Sequence, residues 1–398
     1  MFILIILAIL VILALFVILD IYFAKKYFST HAFERTFETT SGDALFYHNG
    51  EPLFEQMLQD IEKAVSSIHM MFFIVKNDAI GQRILQALKK KAKEGVSVFL
   101  LTDRLGSYSF DQQTIEMLKK SGIRFYFLNK PRFPFLIYRF NMRNHRKITV
   151  IDGKIGYIGG FNIGDEYVNK KGRFGIWKDY HLRMTGHVVA DLQHVFLNDL
   201  YRCSGIHQLQ YEVFPSLEAG SLRCTTHATA GFSLEHMLLH DIQSANKNIT
   251  ICTPYFIPSK LLYQALLDAR KRGVHIVIVV PMKADHPLVK EAGFHYFKDL
   301  LDAGCLVYRF YKGFYHAKAI LIDQARCMIS TANFDKRSIF LNEEVDVVID
   351  DAAFTQEVEQ KVHEHIAVSE LLTKEKYNKR PLLTRPLEWL GALFSYFL

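Results

Sequence analysis

The sequence predicts an α/β protein in which one helix-flanked sheet domain occurs twice in tandem behind a single N-terminal membrane-spanning helix. Three observations carry that prediction. Four residues, His145, Lys147, Asp152 and Asn162, return at the same offsets as His316, Lys318, Asp323 and Asn333. Helical and strand-like stretches alternate in the same order before each copy. The run Phe2 to Leu19 is apolar and uncharged, and at 1.5 Å per residue it reaches about 27 Å, the hydrocarbon depth of a thin or average bilayer.

Asp20, Lys25 and Lys26 follow the apolar run, and basic residues at that end place the body of the protein on the cytoplasmic side. No basic residue precedes the run and no small-x-small site follows it, so a membrane anchor over residues 1–24 is favoured over a cleaved signal peptide. From Pro52 the pattern reads helix 52–66, strand 68–75, helix 80–93, strand 96–102, helix 111–121 and strand 123–129. From Ser233 it repeats as helix 233–246, strand 249–256, helix 259–272, strand 274–280, helix 287–303 and strand 305–311. Gly95-Val96-Ser97-Val98 and Gly273-Val274-His275-Ile276 mark the same helix-to-strand turn in both copies. A period of about 170 residues far exceeds the ~20–50 of solenoids, so it denotes domain duplication. The first domain spans 40–210 and the second 211–370, with the boundary near Tyr211 between a helix-like 187–202 and the second copy. The less regular 205–225 joins the halves, and a tail follows over 371–398.

Composition narrows the class only modestly. With 398 residues, half of them apolar, the chain has ample core for two domains. A net charge of +7 suits an anionic partner without separating nucleic acid from acidic lipid. The five cysteines are scattered and lack a Cys-x-x-Cys pair, which indicates neither a disulfide framework nor a zinc site.

The repeated stretch supplies the chemistry. Ile148, Val150 and Ile151 before Asp152-Gly153-Lys154, with Ile155, Tyr157 and Ile158 after it, read as two strands joined by an Asp-Gly turn. Residues two apart share a strand face, so His145 and Lys147 point one way and Arg146 the other. His316 and Lys318 repeat the arrangement. Two facing imidazole–ammonium pairs provide a nucleophile, an acid and two charges for the non-bridging oxygens of one phosphodiester.

His-x-Lys-x4-Asp followed by Gly-Gly-x-Asn resembles the signature of the phospholipase D superfamily. Met71-Phe72-Phe73, Thr253-Pro254-Tyr255-Phe256-Ile257-Pro258, Asn333-Phe334-Asp335-Lys336-Arg337-Ser338 and Asn342-Glu343-Glu344 are similar to bacterial cardiolipin synthases, more narrowly to the minor synthases of Bacillus type. The resemblance covers nearly the whole chain. It implies two tandem phospholipase D-like domains and a phosphatidyl transfer that joins two phosphatidylglycerol molecules into cardiolipin. His145, Lys147, Asp152, His316, Lys318 and Asp323 then form the catalytic signature, with His145 the nucleophile and His316 the acid and base, or the reverse. The motif aspartates serve mainly in structural ion pairing. Asn162, Asn333, Gly160 and Thr331 are expected at the substrate phosphate. Asp179 and Glu344 are expected to orient the histidines, with Glu343 contesting the latter role. Gly159-Gly160 becomes Ser330-Thr331 in the second copy, a departure expected to narrow the phosphate's space.

The lysines already bring the charge a divalent ion would supply, so neither a metal nor another cofactor is expected, and activity should survive EDTA. The expected partners are the bilayer and its phospholipids, with no nucleic acid and no obligate protein. Two further readings stay open: a phosphodiesterase or nuclease that uses water as acceptor, and a non-catalytic protein that binds anionic lipid. Lys130 to Phe140 interleaves cations with aromatics directly before His145, as an interfacial segment or a partly buried loop would. Pro386 to Leu398 is too short to span a bilayer and too apolar to float free; it docks on the core or lies in the interface.

Overall fold

The computed structural model describes every residue except 170–174, 208–212, 287, 382–383 and 397–398; the boundary expected near Tyr211 lies outside the described residues. Helix α1 (Phe2–His31) carries the apolar run, and its buried residues are Ala24 and Phe28, both past that run. A core helix would hide its apolar side chains, whereas none in this run is buried and nearly all are exposed. Among the described residues it is the one helix long and apolar enough to cross a membrane.

In the first half the strands β1 (Thr40–Tyr47), β2 (Ser67–Phe72), β3 (Ser97–Asp103), β4 (Arg124–Leu128), β5 (Ile148–Ile151), β6 (Ile155–Gly159) and β7 (His181–Thr185) lie in the order β4-β3-β2-β5-β6-β7-β1. The second half repeats this order. Its strands β8 (Leu222–Thr229), β9 (Asn248–Cys252), β10 (His275–Pro281), β11 (Leu306–Phe310), β12 (Ala319–Ile322), β13 (Arg326–Ser330) and β14 (Glu344–Asp350) run β11-β10-β9-β12-β13-β14-β8. The strands β2, β3 and β4 are parallel, as are β9, β10 and β11, because helices such as Ala79–Lys93 and Lys260–Lys271 return the chain between them. The two sheets join where β8 pairs antiparallel with β1, Leu222 opposite Gly42.

Alternating side chains on these strands feed separate cores. One face of each sheet packs on its own half's helices, around Phe54, Ile84 and Leu100 in the first half and around Leu238, Leu266 and Ile278 in the second. The opposite faces contribute to a shared core in which Met71, Phe99 and Leu182 meet the cluster of Cys252, Tyr315 and Val347. That common core holds the halves in one orientation, which the composite site requires.

Element order follows the sequence pattern, with two informative differences. The strands expected over 68–75 and 249–256 end at Phe72 and Cys252. Beyond them the Ile74 amide donates to Asn162 Oδ1 at 3.1 Å, and Thr253 Oγ1 accepts the Phe334 amide at 3.0 Å. Each chain therefore bends off the sheet toward its own motif asparagine loop. The stretch read as irregular up to 225 runs into β8, whose Leu-Arg-Cys-Thr-Thr-His-Ala-Thr sequence is too polar to show a period-two apolar pattern.

Candidate active site

His145 and His316 line one cavity of about 1100 Å³ between the halves, together with Asn162, Asn333, Trp177 and Tyr255. Neither histidine lies within its motif strand; each precedes it on a short segment held by the other half. Gly313–Tyr315 pairs in parallel with Ile176–Lys178, and the His316 amide donates to the Lys178 carbonyl at 2.7 Å. Likewise Asn144 bridges Glu343, and the His145 amide donates to the Glu343 carbonyl at 2.9 Å. Asp179 follows Lys178 and Glu344 follows Glu343, so this pairing delivers each carboxylate to the histidine of the opposite half. His145 Nδ1 lies 2.9 Å from Glu344 Oε2, and His316 Nδ1 lies 2.6 Å from Asp179 Oδ2. A proton on His145 Nδ1 satisfies its contact and leaves His145 Nε2 unprotonated, whereas His316 Nδ1 faces both Asp179 and, at 2.7 Å, Lys318 Nζ.

The electrostatics favour neutral rings over charged carboxylates. Burial, opposed by Glu344 and reinforced by the Lys147 charge, takes His145 down to about 4. Burial and Lys318 lower His316 as well. Burial pushes Glu344 upward, yet His145 and Lys147 outweigh it and hold the carboxyl at about 2. Asp179 is held low in the same way by Lys318 and His316. Thr331 Oγ1 donates to Glu344 Oε2 at 2.7 Å and steadies that carboxylate from behind.

The lysines stand deeper than expected. Lys147 and Lys318 are buried, and each Nζ donates to the main-chain oxygen of its own histidine, at 2.7 and 2.6 Å. Lys318 Nζ also lies 2.7 Å from His316 Nδ1, 3.3 Å from its Nε2 and 3.6 Å from Asp179. Burial takes Lys147 down to about 7.

Several expected roles require correction. Among the described residues neither Asp152 nor Asp323 lines the cavity, and both spend their carboxylate oxygens on main-chain amides. Asp152 accepts the amides of Val65, Ser66 and Ser67, and Asp323 those of Asn246, Lys247 and Asn248. Each thus ties its motif turn to the start of β2 or β9. Gly160 and Thr331 do not line the cavity either. Thr331 holds Glu344, and a Cβ at Gly160 would fall inside contact distance of the Asp179 carboxyl, so both positions abut the orienting carboxylates. Ser330 does not line the cavity, and its hydroxyl donates to Asp346. Glu343 does not orient a histidine: its carboxylate binds Arg202, Asn129 and Asn144.

Sequence reasoning assigned no role to the aromatic walls or to the braces behind the motif. Phe73 packs edge-on against His145 at 5.1 Å between ring centroids, and Trp177 lies 4.9 Å from His316. Asp103 accepts from Arg143 Nη1 and from the Asn144 amide, both at 3.0 Å. Arg146 forks onto Asp199 at 2.9 Å. An aspartate ending the otherwise apolar β3 is the one signal that pointed to such a brace.

The cardiolipin synthase, phospholipase D-like domain matches this chain twice, over residues 57–180 and 238–366. The chain belongs to that family. It is 52% identical over 379 residues to the minor cardiolipin synthase ClsB of Bacillus subtilis, covering 95% of each chain. It is 37% identical over 366 residues to a cardiolipin synthase of Staphylococcus aureus, covering 90% of this chain and 74% of that one. Phosphatidylserine synthase of Haemophilus influenzae shares the fold, with a TM-score of 0.70 at 16% identity over 94% of this chain and all of the other. The protein is thus a phosphatidyltransferase of the phospholipase D superfamily, associated with the membrane through α1.

Proposed function

We propose that this phosphatidyltransferase joins two phosphatidylglycerol molecules into cardiolipin and releases glycerol, by way of a phosphatidyl-histidine intermediate. His145 Nε2 attacks the donor phosphorus, a P–N bond forms, and the bond to the headgroup glycerol breaks. His316, which enters the cycle protonated at Nε2, gives that proton to the departing glycerol oxygen. The hydroxyl of a second phosphatidylglycerol then returns a proton to His316 and attacks phosphorus, and His145 leaves. Lys147 and Lys318 offset the charge that builds on the non-bridging oxygens, and Asn162 and Asn333 donate to those oxygens. Lys25 and Lys26 set the catalytic body on the cytoplasmic side.

The observation that carries this reading is the crossed pairing of two cavity histidines with two buried carboxylates. With its pKa at about 4, His145 is neutral at physiological pH and its lone pair is available. A non-catalytic lipid-binding pocket needs neither a second imidazole nor a carboxylate behind each one. The test is mass analysis of the lipids formed when purified protein meets vesicles of phosphatidylglycerol alone, with and without EDTA. Cardiolipin and glycerol in equal amounts are expected under both conditions. Phosphatidic acid without cardiolipin would replace transfer by hydrolysis, and EDTA-inactivated protein rescued by one divalent ion would overturn the metal-free scheme.

A further inference from the structure

α1 leaves its apolar run beside α2 (Leu136–Asn141), and α3 (Val289–Asp302) carries the third helix of this region, α4 (Thr384–Phe394). The last of these is amphipathic the wrong way round for a soluble protein. Glu388, Gly391 and Ser395 follow i, i+3, i+7 spacing, share one face of the helix, and are buried. Glu388 accepts a forked bond from Arg380 at 2.6 and 3.0 Å, and Ser395 Oγ accepts from Lys336 Nζ at 2.8 Å. A Cβ at Gly391 would lie 2.9 Å from both the Ala292 nitrogen and the Leu288 oxygen, so the α4 backbone rests on α3. The opposite face carries Trp389, 69% exposed, and Leu393, 62% exposed, flanked by Leu387 and Phe394, which are also exposed. In water, burying Glu and Ser while exposing Trp and Leu reverses the usual gain from apolar burial.

The surroundings say what covers this face. Tyr396, just beyond α4, stacks with Phe340, and Lys25 of α1 sits 4.4 Å above its ring. On α1, Phe28 stacks on Tyr138 of α2 at 5.3 Å, and Asp20 Oδ2 accepts the Tyr138 amide at 2.9 Å. Phe133 ahead of α2 and Phe140 within it are exposed, as are Tyr22, Phe23 and Tyr27 of α1. An apolar face continuous with the base of a membrane-spanning helix, rimmed by Lys25, Lys26 and Arg139, has the composition of an interfacial segment. We propose that α4 lies in the headgroup–acyl boundary of the bilayer that α1 crosses, with Trp389, Leu393 and Phe394 in lipid. Because α4 rides on α3, whose first residue Val289 lines the cavity, this contact holds the cavity rim against the bilayer.

The test uses the full chain in phosphatidylcholine vesicles whose acyl chains are brominated near the headgroup, and does not depend on which reaction the enzyme performs. The chain has two tryptophans, and Trp177 is buried in the cavity wall, so quenching reports on Trp389. Emission should fall by at least about half of the part that Trp389→Phe removes, and the remaining emission of that variant should be unaffected. Equal emission in brominated and plain vesicles would overturn the proposal; if that emission also shifted with protein density, a second copy of the chain would be the occupant. As an independent readout, Leu393→Asp should leave thermal stability unchanged and lower turnover on vesicle substrate several-fold, with turnover of short-chain monomeric substrate unaltered. Equal loss on both substrates would also count against the bilayer contact.

Discussion

The two halves share strand order and motif, yet they differ one layer behind the orienting carboxylates. In the first half Gly159 faces His181, and a Cβ there would lie 2.8 Å from the His181 ring and closer still to the Tyr180 oxygen. In the second half Ser330 faces Asp346 and donates to it. At Gly159 the main chain at the start of β7 approaches first and demands glycine, whereas the second half leaves room for a hydroxyl. Both solutions suppress charge at this depth, since burial takes His181 down to about 3 and Asp346 up to about 7. The crossed contacts differ far less: each Nδ1 finds a buried carboxylate from the opposite half. Duplication has kept what each half gives the other and let each half's own packing drift.

The largest effects should come from the histidines. His145→Ala and His316→Ala should each abolish turnover, the acid–base part alone being worth ~10²–10⁴-fold, while both variants bind vesicles as before. The covalent intermediate breaks the symmetry: His316→Ala should accumulate phosphatidyl label on His145. Label on His316 in the His145→Ala protein would reverse the assignment. Wild-type activity in either variant would end the two-histidine scheme.

Next come the carboxylates. Glu344→Gln and Asp179→Asn keep shape and remove charge, and each should lower kcat by ~10²-fold or more because the far ring nitrogen loses its orienting partner. Glu344→Gln should slow formation of the labelled intermediate, through His145, whereas Asp179→Asn should shift the pH profile of proton transfer, through His316. Identical pH profiles and identical intermediate kinetics in the two variants would contradict the crossed arrangement.

Much of this was legible in one dimension, and the limits are physical. The offsets of His145 and Lys147 from Asn162 recur because both copies build the same hairpin and loop, and helix and strand periods place the elements before it. The turn itself was readable: Asp152 and Gly153 both have positive φ, as an Asp-Gly hairpin turn requires. Which histidine each carboxylate serves was not legible. Glu344 is 199 residues from His145 and Asp179 is 137 from His316, and the short parallel pairings that join them carry no periodic signal. Asp152 misled for a related reason. Its place in the signature suggested ion pairing, but its oxygens are consumed by main-chain amides, which leave no trace in side-chain identity.

A smaller contrast lies between Gly160 and Thr331, which occupy equivalent places beside Asp179 and Glu344. Gly160→Ala pushes a methyl into the Asp179 carboxyl, so it should cost ~10²-fold in kcat by moving the group that orients His316. Thr331→Val removes one hydrogen bond from Glu344 and leaves that carboxylate held by His145. A loss of about tenfold and roughly 1 kcal/mol of stability is expected. Activity assays with thermal melts distinguish the two, and equal losses would mean that the positions do not serve their carboxylates as described.

The smallest effect concerns Asp346. Burial raises its folded pKa to about 7, against an ordinary carboxyl value near ~4 in the unfolded chain. The native state therefore holds this proton more tightly, and the stability it contributes is complete below pH ~4 and drains away as pH rises through about 7. Asp346→Asn keeps an oxygen for the Ser330 hydroxyl and cannot ionise. The melting temperature of the variant should match wild type near pH 4 and exceed it by a few degrees at pH 8. His181 makes the opposite demand in the first half. With a folded pKa of about 3 it contributes full stability above pH ~6.5 and loses it as pH falls toward about 3, so replacing it cannot reproduce the alkaline gain. A gain at pH 4 as large as that at pH 8 would show that Asp346 is not stored with its proton.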